Sequence, residues 1–130
     1  MLSKMHHIGI EVRDIARSEA FYVGVLGFTK VSEISLGDAG RKIVFLDLGG
    51  VCAELLSAPG NTAYLEAPAE QCGYKHLALL TADVDGDVAR AREAGCVIRM
   101  EPTSIPAVKA RIAFVEDPDG IPVELWQDLG

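Results

Sequence analysis

Two stretches of this chain, about 69 residues apart, read as copies of one unit. Residues 5–13 are Met-His-His-Ile-Gly-Ile-Glu-Val-Arg, and residues 74–82 are Tyr-Lys-His-Leu-Ala-Leu-Leu-Thr-Ala. Both alternate in the manner of a strand and carry a histidine near the start. An aspartate and a helical stretch follow each: Asp14 before Ile15 to Leu26, and Asp83 before Val84 to Ala94. Asp is a favoured N-cap, and Gly27 and Gly95 stop the two stretches, so both helices are bounded at each end. The inward stripe of the first is read as Ala16, Ala20, Phe21, Val25 and Leu26, and that of the second as Val84, Val88 and Ala91. Strand candidates follow in one order: Thr29 to Leu36, Lys42 to Leu48 and Val51 to Ser57, then Val97 to Glu101, Lys109 to Val115 and Ile121 to Gln127. Hairpin-turn residues, Asp47-Leu48-Gly49-Gly50 and Asp117-Pro118-Asp119-Gly120, separate the last two strands of each half.

The register holds throughout. Asp14 to Asp83 is 69 residues, Gly27 to Gly95 is 68, and Asp47 to Asp117 is 70. A steady offset of this kind marks internal duplication. The fold class is therefore α+β, two βαβββ modules in tandem. Module one covers about 4–57 and module two about 74–128. A linker at about 58–73, rich in Pro, Gly and Ala, joins them within one domain of 1–130, the size usual for one domain.

Duplication gives a test that single residues do not. His7 pairs with His76 at offset 69, and Glu54 with Glu124 at offset 70. In the first strand Ile8, Ile10 and Val12 share the face expected to pack on a helix, and His7, Gly9 and Glu11 share the other. Glu54 opposes Ala53 and Leu55, and Glu124 opposes Val123 and Leu125. All four polar residues thus lie off the helix-packing faces, where a curved sheet can gather them in its concavity. Two imidazoles and two carboxylates suit one divalent ion such as Zn, Ni, Co, Mn or Fe, with open positions left for water or substrate. His6, whose counterpart is Lys75, alternates to the other face and is set aside.

Composition narrows the partners. The formal net charge is −7, which argues against nucleic acid and against an anionic membrane surface. No apolar run nears the roughly 18 residues that span a bilayer. Met1 to His7 lacks a signal peptide's apolar stretch, and Cys52, Cys72 and Cys96 form no CxxC, so a reducing cytoplasm is expected. Each cysteine reads as a small buried hydrophobe. Aromatics are only 6% of the chain, so a mostly aliphatic core is expected.

Several segments resemble the vicinal oxygen chelate superfamily, which includes glyoxalase I, methylmalonyl-CoA epimerase, extradiol dioxygenases and bleomycin-binding proteins. They are His7-Ile8-Gly9-Ile10-Glu11-Val12 with Asp14-Ile15, Phe21-Tyr22 with Leu26-Gly27-Phe28, and Ala53-Glu54-Leu55-Leu56. Gly73-Tyr74-Lys75-His76-Leu77-Ala78 and Asp117-Pro118-Asp119-Gly120 with Val123-Glu124-Leu125 complete the set. The resemblance implies an open, curved mixed-sheet barrel around a metal, with His7, Glu54, His76 and Glu124 as ligands. It also implies that homodimers are common, some with each site built from both subunits.

The chemistry expected is a glyoxalase I-like isomerisation, epimerisation or lyase-type rearrangement of a small carbonyl or thioester substrate through an enediolate held at the metal. Glu124 is the preferred proton-moving base and Glu54 the second. Phe45, Phe114, Trp126, Gln127 and Arg111 are candidate pocket residues, although packing explains the aromatics equally. Arg41 and Arg111 suit solvated surface charges as well. The alternatives are a small-molecule (antibiotic-type) binding protein and a metal-dependent dioxygenase. Glyoxalases that use glutathione carry an Arg four residues after the first ligand and an Asn four after the first Glu ligand. Here those places hold Glu11 and Ala58. The second base of the epimerases finds only a loose match in Ser32-Glu33-Ile34-Ser35 with Gly37.

Overall fold

The computed structural model describes residues 1–37, 40–57, 60, 62, 64–66 and 68–130. Ala58 and several neighbours in the linker, Pro59, Asn61, Ala63 and Ala67, lie outside the described residues. The chain divides into two compact units, Met1–Ala63 and Tyr64–Gly130.

In the first unit, β1 (His7–Val12) leads to α1 (Ile15–Gly24), then β2 (Thr29–Leu36), β3 (Arg41–Leu48) and β4 (Val51–Ser57). The strands form a mixed sheet in the order β1-β4-β3-β2, with β1 parallel to β4 and the other pairs antiparallel. The second unit repeats this with β5 (Leu77–Leu80), α2 (Val84–Glu93), β6 (Ile98–Ile105), β7 (Ala110–Glu116) and β8 (Pro122–Asp128), in the order β5-β8-β7-β6. A short 3₁₀ turn, Pro106–Val108, separates β6 from β7. Neither sheet closes on itself, and each carries one helix. The α+β architecture and the tandem modules thus follow the sequence pattern.

Local chemistry accounts for the element ends. The Asp14 carboxylate accepts a hydrogen bond from Arg17 N at 3.0 Å, and Asp83 accepts from Gly86 N at 3.0 Å, so each helix opens on a satisfied N-cap. Gly27 and Gly95 close the helices at φ 81° and 80°, a conformation a Cβ disfavours. Replacing either cap with Ala should cost about 1 kcal/mol of stability. Urea melts of Asp14→Ala and Asp83→Ala check this, and a midpoint that does not move refutes it. The β3–β4 turn takes positive φ at both Gly49 and Gly50, as a two-residue primed hairpin turn requires. In the β7–β8 turn the Asp117 carboxylate instead accepts from Asp119 N at 2.9 Å and Ile121 N at 2.8 Å.

Packing follows the alternation. Ile10 and Val12 are buried, while His7, Gly9 and Glu11 are exposed; Ile8, expected on the inward face, is exposed too, because it lies at the start of the edge strand β1. Val84, Val88 and Ala91 are buried as expected, but the stripe of α1 needs correction. Ala16 and Ala20 are exposed, and Ser18, Phe21 and Tyr22 face the sheet. The first unit's core is also less aliphatic than composition suggests, because Tyr22 stands edge-on to both Phe21 and Phe28. The second unit's core is aliphatic: Val115, Val123 and Leu125 are buried on β7 and β8, on which α2 packs with its own buried Val84 and Val88. The cysteines are not buried hydrophobes: Cys72 is exposed, and Cys52 and Cys96 are half-buried free thiols. Among the described residues no helix is long and apolar enough to cross a membrane.

Candidate metal centre

The parallel pairing of β1 with β4 sets Gly9 opposite Glu54, and that of β5 with β8 sets Ala78 opposite Glu124. His7 opens β1 two residues before Gly9, and His76 stands two residues before Ala78, just ahead of β5. As a result His7 Nε2 lies 3.0 Å from Glu54 Oε2, and His76 Nε2 lies 3.0 Å from Glu124 Oε2. The same contact through the same atoms thus occurs in both modules. The small residues opposite each Glu leave space against it; a Cβ at Gly9 would stand 3.5 Å from Glu54 Oε2. Glu124 is the more enclosed carboxylate, with its side chain 9% exposed against 16% for Glu54. Among the described residues the four side chains stand as two pairs, and no group of three or more His, Cys, Asp and Glu forms a metal cluster.

Two further residues complete the repeated arrangement. Phe45 is in register with Glu54 and Phe114 with Glu124. Phe45 meets the His7 ring edge-on at 6.0 Å, and Phe114 meets the His76 ring at 5.1 Å. Each phenyl therefore packs edge-on against an imidazole. Their own offset of 69 residues was the sequence signal for this role. His6, set aside above, also takes part, because its Nδ1 lies 2.7 Å from His7 Nδ1. One of these nitrogens must donate and the other accept, which orients the His7 ring from behind. Lys75 offers no ring at the matching place in module two.

The other pocket candidates are engaged elsewhere. Arg111 donates to both Asp85 oxygens at 2.7 Å, a bidentate pair that holds the Asp85 carboxyl below its ordinary range. Gln127 Oε1 accepts from Val84 N at 3.0 Å and so serves the start of α2. Trp126 Nε1 donates to Asp128 at the end of β8. Arg41 is exposed at the start of β3, as a solvated surface charge would be, and Glu11 is exposed on β1.

Glu33, the loose match to an epimerase base, is clamped between two ammonium groups. Hydrogen bonds from Lys30 and then Lys42, at 2.6 and 2.9 Å, pull its carboxyl from 4.5 down to about 2. A carboxylate that acidic is a poor proton acceptor near neutrality. Its folded value is depressed, so any stability it adds is present above about 4.5 and lost as pH falls toward about 2. An NMR titration of Glu33 should find a midpoint near 2, and one near 4.5 removes the clamp.

Could these residues hold a divalent ion? In an octahedral shell, ligand nitrogen and oxygen atoms each about 2.1 Å from one ion stand about 3.0 Å apart. That is the separation found in both pairs. The donor set, neutral imidazole and carboxylate, also fits the ions named from sequence.

A two-module α+β fold with one His–Glu pair in each module defines a recognisable class. The chain belongs to the Glyoxalase/Bleomycin resistance protein/Dioxygenase superfamily, whose family model matches residues 4–125. It is 37% identical to the uncharacterized protein YaeR of Escherichia coli (strain K12), over 97% of each chain. It is 29% identical to a probable lactoylglutathione lyase of Vibrio cholerae, over 94% of this chain and 88% of that one. Among solved structures it resembles the trypanothione-dependent glyoxalase I of Leishmania major, with a TM-score of 0.78 and 30% identity. That match covers 98% of this chain and 88% of the other.

Proposed function

We propose that the protein is a divalent-metal-dependent enzyme of glyoxalase I-like type, a lyase or isomerase acting on a small carbonyl or thioester substrate. The observation that carries this reading is the identical His Nε2–Glu Oε2 separation of 3.0 Å in both modules. His7, Glu54, His76 and Glu124 together would ligate one ion of Zn, Ni, Co, Mn or Fe, whether the two pairs come from one chain or from two copies. When bound, the ion supplies Lewis acidity to adjacent substrate oxygens.

The chain's own residues do the rest. Glu124 Oε2 takes the carbon-bound proton and returns it to the neighbouring carbon or to the same carbon from the other face. Its low exposure keeps water from competing for that proton. Glu54 is the second carboxylate able to do this. Phe45 and Phe114 keep the imidazole planes fixed while the proton moves. The single linked domain of 1–130, a homodimer and a cytoplasmic setting belong to the same reading; the free thiols suit a reducing compartment.

The test is to load the purified protein with each ion and assay hemithioacetals of several thiols, methylmalonyl-CoA and catechols. Turnover of a hemithioacetal or thioester without oxygen uptake supports the proposal. Oxygen uptake with iron and a catechol makes it a dioxygenase. No change with any ion leaves a small-molecule binding protein and refutes the metal-dependent reading.

A further inference from the structure

A cleft of about 380 Å³ in the second unit opens beside the proposed ligand His76. This volume suits a small molecule or one end of a larger one. Lys75, His76, Arg99, Glu66, Met100 and Phe114 line it. Met100 and Phe114 give it an apolar part, and two cations, Lys75 and Arg99, line it together with the Glu66 carboxylate. Neither cation takes part in the chemistry above.

Arg99 is held in an unequal way. Its Nε donates to Glu116 Oε1 at 2.9 Å, from the neighbouring strand β7. Its Nη2 donates to Glu66 Oε2 at 3.0 Å. The Glu116 side chain is 23% exposed, whereas that of Glu66 is 54% exposed and belongs to no helix or strand. Glu116 thus fixes the guanidinium, and Glu66 covers the edge that faces the cleft. An ion pair this exposed holds weakly and exchanges with other carboxylates. Lys75 Nζ donates to the Pro68 carbonyl at 3.1 Å, which leaves its positive charge to the same space.

We propose that Arg99, assisted by Lys75, binds a carboxylate of the substrate, and that Glu66 occupies its place until the substrate arrives. The guanidinium fork matches a carboxylate, and Glu66 already shows which group fits there. The substrate class is thereby narrowed to small oxo or thioester compounds that bear a carboxylate near the reacting carbon. Arg99 then acts in binding and orientation rather than in proton transfer. This inference rests on the metal-site reading for its meaning in catalysis, but its test does not need turnover.

The test uses methylthioacetate as the carboxylate probe and methylthioethanol as its neutral counterpart. Each is titrated into the isotope-labelled full chain while the backbone amide of Met100 is followed by NMR. The carboxylate should shift that signal saturably and the alcohol should not. Glu66→Gln removes the competitor and should tighten carboxylate binding several-fold, whereas Arg99→Met should weaken it about tenfold. These opposite directions separate recognition from loss of folding, which would weaken both variants alike. Equal responses to the two probes, or an unchanged affinity in Glu66→Gln, overturn the proposal. A protein that binds the carboxylate as described but responds to no metal keeps this inference and loses the metal-site reading.

Discussion

Glu124→Gln should lower turnover by about 100- to 10,000-fold, the range that a positioned acid–base group contributes. Gln keeps the length and one oxygen of the side chain, and can still reach His76 and a nearby ion. What it cannot do is accept a proton. The residue sits on β8 between β5 and β7, facing Ala78 on one side and Phe114 on the other. Little rearrangement is open to it there, so the loss reflects chemistry rather than folding. Glu54→Gln should cost less, because Glu54 is the more open of the pair. The comparison is made on initial rates with the probe that the metal-loaded protein converts. Full activity in Glu124→Gln excludes it as the base, and a larger loss in Glu54→Gln exchanges the two roles.

A second large effect is expected on stability. An ion present at about 100 times its dissociation constant stabilises the folded chain by about 2.7 kcal/mol, which raises the melting temperature by about 10 °C. His7→Ala and His76→Ala should each remove that rise, since each takes away one of the four proposed donors and leaves a carboxylate without its imidazole partner. Thermal melts with and without metal measure it. A rise that survives either replacement shows that the missing histidine is not a ligand.

Much of the fold and of the two His–Glu pairs is legible in the sequence because duplication acts as an internal control. His7 and His76 gained weight from matching each other, as did Glu54 and Glu124, and strand alternation placed all four off the helix-packing faces. Caps at Asp14 and Asp83 fixed both helix starts. Other features were hidden for physical reasons. Ala16 and Ala20 looked inward because small apolar residues carry little periodic signal, while Ser18 is fully buried in α1 with its hydroxyl unpartnered. Strand β6 runs on past Pro102 to Ile105 because it lies at the sheet edge, where a missing N–H costs no ladder bond. Arg111 and Gln127 looked available for substrate because their partners, Asp85 and Val84, lie 26 and 43 residues away in sequence. Alternation turns His6 away from His7, yet His6 precedes the first residue of β1, where the alternating geometry has not begun. Arg99 carried no signal at all, since its role depends on the cleft that packing creates.

The central claim is that the two His–Glu pairs serve one ion, and metal content tests it most directly. Elemental analysis of protein loaded with nickel or zinc and freed of loosely held ions should give one ion per chain. His7→Ala and His76→Ala should each give none, whether the pairs meet within a chain or between copies. Two ions per chain in the parent protein, or one retained in either variant, would show two separate sites and contradict the account.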